Sequence, residues 1–197
     1  MAVPEPVYGL VLAGGRSRRM GSDKAALVTN GETQLGRAVA LLGRHLGQVF
    51  VSTSAAQADD PVRREFPRII DRYEDLGPVA GILSAMHEHP SHAWLVLACD
   101  LPNIDDETIS YLLASASKEH PATAFRSVID DLPEPLCALY RPAARVIIDR
   151  FVDDGIKCPR KMLINSPTCL LTQPVPGALH NINTPDDLAG TNIDLPS

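Results

Sequence analysis

The segment from Val7 to Lys24 combines the residue types best suited to chemistry in this chain. A short apolar run ends at Gly14 and Gly15, three arginines follow within the next four residues, and Lys24 closes the segment. Glycine lets backbone N–H groups approach a ligand closely, and cations beside such groups favour a polyphosphate. The segment therefore predicts a loop that holds a nucleotide.

The spacing of this segment differs from two common nucleotide-binding motifs. A P-loop requires GxxxxGK followed by Ser or Thr, but here five residues separate Gly15 from Gly21, and Lys24 comes three residues later. The dinucleotide pattern GxGxxG is absent because Gly14 and Gly15 are adjacent. The segment indicates a different nucleotide-binding loop, with solvated arginines on a plain turn as the weaker alternative.

Two acidic residues follow apolar runs further along the chain. Asp100 comes shortly after the uniformly apolar run AWLVLA, and Pro102 follows it. A carboxylate in that position can bind Mg²⁺, which prefers one or two carboxylates plus substrate phosphates, or it can cap the next turn. Asp71 follows a second, shorter apolar run, and Asp75 is its rival a few residues later. These positions predict a ligand site beyond the strand ends, in which Asp100 is the candidate metal ligand.

Asn181 and Asn183 form a further candidate pair near the C-terminus. Their alternating spacing directs both side chains to the same side of an extended segment. They can also serve as caps for a helix that is expected to open at Thr184 and Pro185. The residues alone leave both interpretations open.

Alternating strand and helix patterns must position these candidates. Strands are expected over Val7–Ala13, Val49–Ser52, Arg68–Ile70, Ala93–Ala98, Ala122–Ser127, Leu136–Tyr140 and Cys169–Thr172. Helices are expected over Thr33–Leu46, Pro78–His87, Asn103–Lys118 (capped by Asn103), Pro142–Val152 and Pro159–Ile164, with a loop at Leu132–Pro135. This alternation predicts an α/β fold, a three-layer sandwich whose mostly parallel, Rossmann-like sheet binds ligands beyond the carboxyl ends of its strands.

Composition limits the possible classes of protein. The 197 residues, of which 45% are hydrophobic and 21% charged, suit one domain with a substantial core. No apolar run approaches the length of a membrane span and no secretory signal is visible, so we expect a cytoplasmic protein. The net charge of -6 disfavours a nucleic-acid surface. The cysteines lack metal-ligand spacing, and His87, His89 and His92 are expected at a solvated helix end.

Several motifs together resemble a known family. LAGGRSRRMGSDKAAL (residues 12–27), GPVAG (77–81), CDLP (99–102), EPLCALY (134–140) and NINTP (181–185) stand in the order found in molybdenum cofactor guanylyltransferases. The resemblance implies a fold of the nucleotide-diphospho-sugar transferase type. It also implies an enzyme that uses Mg²⁺ to transfer GMP from GTP to molybdopterin, forming the guanine dinucleotide cofactor and releasing pyrophosphate.

The resemblance also assigns roles to individual residues. The expected nucleotide-binding residues are Leu12, Ala13, Gly14, Gly15, Lys24, Ser52, Asp71, Gly77 and Asp100. Lys24 and Asp100 are expected to be catalytic, Asp100 to hold the metal, and Asn181 and Asn183 to contact molybdopterin. Ser52 departs from the asparagine that stands near this position in some relatives.

Other functions stay open at this point. A cytidylyltransferase or another NTP:phosphate nucleotidyltransferase would share the fold, and a non-catalytic nucleotide-binding module would use similar carboxylates. The suggested partners are molybdenum-cofactor biosynthesis proteins or molybdoenzymes, and neither nucleic acid nor membrane is expected. Arg160 and Lys161 either contact a substrate phosphate or face water.

Overall fold

The computed structural model describes residues 5–14, 23–29, 31–180 and 193–194. Within these ranges the strands are β1 (Val7–Leu12), β2 (Val28–Thr29), β3 (Glu32–Thr33), β4 (Val49–Thr53), β5 (Arg68–Ile70), β6 (Ala93–Ala98), β7 (Ala122–Arg126), β8 (Pro133–Tyr140), β9 (Thr168–Leu171) and β10 (Ile193–Asp194). The α-helices are α1 (Gln34–Gly43), α2 (Pro78–Glu88), α3 (Asp106–Ser115), α4 (Ala144–Asp153) and α5 (Pro159–Ile164).

The main sheet has seven strands in the order β5-β4-β1-β6-β8-β7-β9. The pairs β5–β4, β4–β1, β1–β6 and β7–β9 are parallel, whereas β8 runs antiparallel to both β6 and β7. The predicted mostly parallel sheet is confirmed. The reversal of β8 brings its first residues to the edge where the parallel strands end.

Helices cover both faces of this sheet, which confirms the three-layer α/β sandwich. The alternation within β6 shows the two cores, because Leu95 and Leu97 pack in one buried cluster and Trp94 and Val96 in the other. The first cluster includes residues of α1 and α3, and the second includes residues of α2, α4 and α5. A strand buried on both faces reads as a continuous apolar run.

The start of α3 corrects the predicted helix Asn103–Lys118. Asp105, not Asn103, is the N-cap, and its carboxylate accepts a hydrogen bond of 2.8 Å from the backbone N–H of Thr108. The Ile104 N–H bonds to the Leu101 carbonyl at 3.4 Å, so the chain forms a separate turn before the helix begins. A side chain that satisfies a first-turn N–H fixes the helix start.

The beginning of β8 corrects the predicted loop Leu132–Pro135, because this strand starts at Pro133. Only the later part of β8, from Cys137 to Tyr140, is paired with β6. Its first residues pair with β7 alone, after a register shift at Ala124 and Phe125. Proline lacks a backbone N–H and is tolerated where a strand has a single partner.

Two histidines also depart from the sequence expectation. His89 and His92 are partly buried in a cluster of rings with Tyr8, Phe50 and Trp94, and His92 stacks on Tyr8 at a centroid distance of 4.0 Å. Only His87 is exposed at the end of α2. His89 and His92 therefore contribute to packing at the edge of the main sheet where the parallel strands begin.

A small second sheet, absent from the sequence expectations, joins distant segments. β2 pairs antiparallel with β3, and β10 pairs antiparallel with β2, so that Ile193 lies opposite Thr29. The end of the chain thus returns to the segment that follows Lys24.

Across the described residues, no helix is both long and apolar enough to span a membrane.

Candidate functional site

Gly14 lies at the carboxyl edge of the sheet, immediately beyond β1, and approaches two other segments closely. A Cβ atom built on Gly14 would lie 3.3 Å from Oδ2 of Asp71 and 3.6 Å from the backbone nitrogen of Ser54. Ala13, just before it, donates its N–H to the Ser52 carbonyl at 3.1 Å. The absence of a side chain at Gly14 lets the glycine backbone lie against the Asp71 carboxylate.

Asp71 is held in place by Ser52. The Ser52 hydroxyl donates a hydrogen bond of 2.7 Å to Oδ1 of Asp71, and the Asp71 N–H donates to the Thr53 carbonyl at 2.9 Å. Burial raises the pKa of the Asp71 carboxyl above its usual value, and the Ser52 hydrogen bond offsets part of that rise. This half-buried carboxylate is oriented to accept donors of a ligand or to face a cation.

Ser52 itself is only 2% exposed. Its hydroxyl is confined by Gly81 of α2, where a Cβ atom would lie 2.1 Å from Ser52 Oγ. The side chain therefore contacts Asp71 and the helix behind it. The nucleotide contact expected for Ser52 stays a prediction, and the hydrogen bond to Asp71 is the interaction that the structure gives it.

The loop between Asp71 and α2 contains two residues with positive φ. Gly77 has φ 56° and ψ -136° and is the N-cap of α2, with Pro78 in the first turn. No atom lies within 4 Å of where its Cβ would be, so the exposed glycine leaves open space before the helix. Asp75 has φ 56° and is exposed. Of the two rival carboxylates, Asp71 is the one that lies against Gly14.

Asp100 lies in the turn that follows β6, which is the neighbour of β1 in the sheet. The turn begins with Cys99, whose backbone N–H donates to the Leu12 carbonyl at 3.4 Å. Asp100 is half-buried. A carboxylate that is partly open to solvent at this edge suits the oxygen-ligand preference of a hard cation.

A cleft of about 260 Å³ opens on the other side of β6. Its lining includes Leu101, which follows Asp100, together with Pro78, Pro135, Cys158 and Leu179. Because β8 runs antiparallel, its beginning forms one wall of this cleft. The cleft is large enough for a small organic group.

Arg160 is also part of the wall of the cleft, and the structure resolves its surroundings. Its guanidinium donates hydrogen bonds to Asp130 at 2.8 Å and to Glu134 at 2.9 Å. Two carboxylates thus neutralise Arg160, which favours a structural role over phosphate binding. Lys161 is exposed to solvent.

Arg63 is a buried residue of the site that the sequence expectations missed. It lies in the connection between β4 and β5, is 1% exposed, and contacts Ala13, Asp23 and Asp60. An arginine in a polar stretch, ADDPVRREF, looks like an ordinary surface residue. Within that stretch only the turn expected at Pro61 could have signalled a contact, because the burial of Arg63 is visible only in the structure.

Some expected site residues lie outside the described part of the structure. These are Gly15, Asn181 and Asn183, and for Lys24 only the backbone is described, at the start of the short 3₁₀ turn Lys24–Ala26. On either side of this gap in the sequence, Leu179 lies in the wall of the cleft and β10 lies beside β2.

Comparison with known protein families identifies the domain. The model of the MobA-like NTP transferase domain matches residues 9–166, most of the 197-residue chain. The chain belongs to the MobA-like NTP transferase family. The matched range includes Gly14, Arg63, Asp71 and Asp100, and it ends before the asparagine pair.

Individual relatives of this family span different shares of the chain. A protein of Synechocystis sp. named "Molybdenum cofactor biosynthesis bifunctional protein" is 35% identical over 187 residues, which cover 95% of this chain and 54% of that protein. This chain thus spans about half the length of that bifunctional relative. A Nostoc sp. protein named "Probable molybdenum cofactor guanylyltransferase" is 29% identical, covering 91% of this chain and 87% of that protein.

A solved structure shares the MobA-like fold over nearly its whole length. Molybdopterin-guanine dinucleotide biosynthesis protein A from Archaeoglobus fulgidus superposes with a TM-score of 0.76 at 25% identity, covering 93% of this chain and 95% of that one. The predicted nucleotidyltransferase fold is thereby confirmed.

Proposed function

We propose that this protein transfers GMP from GTP to molybdopterin, with Mg²⁺, and releases pyrophosphate. The observation that carries the proposal is that β6 separates two regions along the carboxyl edge of the sheet. Gly14, Ser52 and Asp71 lie on the side of β1, β4 and β5, and the cleft lies on the side of β8 and α5. Asp100 follows the strand between them. Two binding regions that meet at a carboxylate suit a reaction between two substrates.

The nucleotide half is built mostly from backbone. Leu12, Ala13, Gly14 and Gly15 lie against GTP, and Lys24 neutralises phosphate charge. Asp71 accepts hydrogen bonds from the nucleoside, in an orientation that Ser52 maintains. The positive φ and open space at Gly77 allow the ligand to approach the chain before α2. The names of the relatives support guanine as the base.

The metal position is assigned to Asp100. Its half-buried carboxylate at the strand end has the oxygen chemistry that Mg²⁺ requires. When bound, Mg²⁺ supplies positive charge that offsets the charge of the triphosphate. The chain itself contributes the position of Asp100 in the turn after β6 and the cation of Lys24.

The acceptor half combines the cleft with Asn181 and Asn183. The terminal phosphate oxygen of molybdopterin attacks the α-phosphorus of GTP, the bond to the bridging oxygen breaks, and pyrophosphate leaves with that oxygen. Phosphoryl transfer of this kind depends on positioning and charge stabilisation, so no nucleophilic side chain is needed. The asparagine amides orient the acceptor, and the cleft holds the bulky part of molybdopterin.

The test is pyrophosphate release by the purified protein with each NTP in turn, Mg²⁺ and molybdopterin. We expect release only with GTP and molybdopterin together. Release with CTP instead would assign cytidylyl transfer, and nucleotide binding without turnover in any mixture would indicate a binding module.

A separate variant tests the assignment of the metal to Asp100. Asp100→Ala should lower turnover by about 100-fold or more, the size seen when one group that stabilises transition-state charge is removed. Asp59→Ala removes an exposed carboxylate from the connection between β4 and β5 and serves as the matched control. Normal turnover by the Asp100 variant at ordinary Mg²⁺ concentration would disprove the metal role.

A further inference from the structure

We infer that Arg63 is a positioning residue that fixes both ends of the glycine- and arginine-rich segment of residues 14–22. It contacts the residue before that segment and the residue after it. Its Nε and Nη2 atoms donate to the Ala13 carbonyl at 2.9 and 2.7 Å. Its Nη1 and Nη2 atoms donate to the Asp23 carboxylate at 2.6 and 2.9 Å. One guanidinium thus joins two points that are ten residues apart in sequence.

The contact with Ala13 sets the orientation of the next peptide unit. A trans peptide is planar, so its carbonyl and the following N–H point in opposite directions. Because Arg63 holds the Ala13 carbonyl with two donors, the N–H of Gly14 is directed away from Arg63. The direction of that amide is what a backbone ligand-binding loop depends on.

The contact with Asp23 sets the position of the turn that begins with Lys24. The Asp23 carboxylate accepts from the Ala25 N–H at 3.1 Å, and the Asp23 carbonyl accepts from the Ala26 N–H at 3.0 Å. Asp23 therefore organises the 3₁₀ turn Lys24–Ala26. By holding Asp23, Arg63 also fixes where the Lys24 backbone lies relative to Ala13.

Arg63 is itself held rigidly and has no role as a phosphate ligand. Asp60 lies 3.1 Å from Nη1, and the same carboxylate accepts from the Val62 N–H at 3.0 Å. Each guanidinium nitrogen has a protein acceptor, and the side chain is 1% exposed. Two carboxylates outweigh the single positive charge, so Arg63 acts through the chain segments it contacts.

The geometry requires arginine at this position. A lysine presents one compact ammonium group, whereas the planar guanidinium has donors on several sides. The hydrogen bonds to the carboxylates of Asp23 and Asp60 and their charges raise the pKa of Arg63, although burial alone would lower it, so the side chain stays charged. An uncharged replacement leaves two carboxylates without their cation.

The test compares Arg63→Gln with Arg64→Gln, because Arg64 is the exposed neighbour and both changes remove one charge. The inference rests on the proposed nucleotide binding, so the first measurement is the Kd of GTP in the presence of Mg²⁺. It is made well below the melting temperature of each variant. For Arg63→Gln we expect affinity to fall about tenfold or more, the equivalent of one charge-assisted hydrogen bond, and to stay unchanged for Arg64→Gln.

The second measurement needs no ligand and separates this inference from the proposed function. In Arg63→Gln, amide hydrogen exchange should accelerate at Ala25 and Ala26, whereas exchange in α2 and β6 should stay as in the wild type. If wild-type protein binds no nucleotide, the proposed function fails, whereas the exchange pattern still decides whether Arg63 holds Asp23. A uniform rise in exchange across the domain, or wild-type exchange at both alanines, would overturn the inference.

Further variants keep the test decisive if Arg63→Gln does not fold. Asp23→Asn removes one charged partner and leaves the Ala13 contact in place, and it should weaken GTP binding relative to wild type. Arg63→Ala should regain affinity when guanidinium is added at millimolar concentration, and not when ammonium is added. Equal affinity of Asp23→Asn and wild type, with no rescue of Arg63→Ala, would refute the positioning role.

Discussion

Replacing Gly81 by alanine should destabilise the protein, although alanine is the better helix former. Gly81 lies within α2, where the helix packs against the sheet. An added Cβ would lie 2.1 Å from Ser52 Oγ, 2.9 Å from Ser52 Cβ and 2.9 Å from Leu12 Cδ2. The Ser52 hydroxyl can rotate, but its Cβ is fixed to β4, so the helix or the strand must move.

The size of the effect follows from three contributions. Alanine in a helix interior is favoured over glycine by about 1 kcal/mol. Overpacking of a rigid core costs about 1–3 kcal/mol, and a lost hydrogen bond to the Asp71 carboxylate costs about 1.5–3 kcal/mol. We expect a net loss of about 1.5–5 kcal/mol, which lowers the Tm of a chain of this size by about 3–20 °C.

The assay is thermal and urea unfolding of Gly81→Ala beside Gly43→Ala. Gly43 is the last residue of α1 and has no atom within 4 Å of its Cβ position, so its replacement should leave stability equal or slightly higher. Ser52→Gly in the Gly81→Ala background removes two of the three close contacts and should recover part of the loss. If Gly81→Ala were as stable as Gly43→Ala, the packing argument would be refuted.

Two further predictions concern ionisable groups. Burial raises the pKa of Asp71, so its ionisation costs folding stability as pH rises past the ordinary value of 3.8. Asp71→Asn should therefore raise the Tm at neutral pH, lose that advantage in acid, and bind GTP poorly. An equal gain in Tm at both pH values would contradict this. Burial, with a smaller effect of Glu134, raises the pKa of the Cys137 thiol to about 12, whereas Cys158 is exposed in the cleft wall. A bulky thiol reagent should therefore label Cys158 first and slow transfer without weakening GTP binding. Cys158→Ser should abolish the effect of the reagent on transfer. Loss of GTP binding on labelling would place the nucleotide in the cleft.

The main elements were predictable because their periodicity is strong. The bounds predicted for β5, β6 and α5 agree with the structure, since an apolar run or a proline marks each of them. The strands β2, β3 and β10 have two residues each, which is too short for any periodicity to show. Their existence depends on pairing between distant segments, which one sequence does not reveal.

The candidate site was predictable where one residue follows one strand. Gly14, Asp71 and Asp100 lie at strand ends, and the rule that ligands bind beyond the carboxyl ends of a parallel sheet is sufficient to select them. Arg63 was not predictable in this way, because its role depends on a buried contact with Ala13, fifty residues earlier. The ligand contact predicted for Ser52 stays a prediction, and its hydrogen bond to Asp71 could not be read from the sequence.

The cleft escaped prediction for a topological reason. In a fully parallel sheet, each strand would contribute only its last residues to the ligand-binding edge. β8 runs the other way between β6 and β7, so its first residues, including Glu134 and Pro135, meet the end of β6 at that edge. The same reversal places Glu134 within reach of Arg160 on α5, and their hydrogen bond of 2.9 Å joins the strand to the helix across the wall of the cleft. A rule that inspects residues after strands finds the nucleotide half of the proposed site and the carboxylate that we propose as the metal ligand. The cleft that we propose for the acceptor is lined by the start of a strand, and it becomes visible only when the direction of that strand is known.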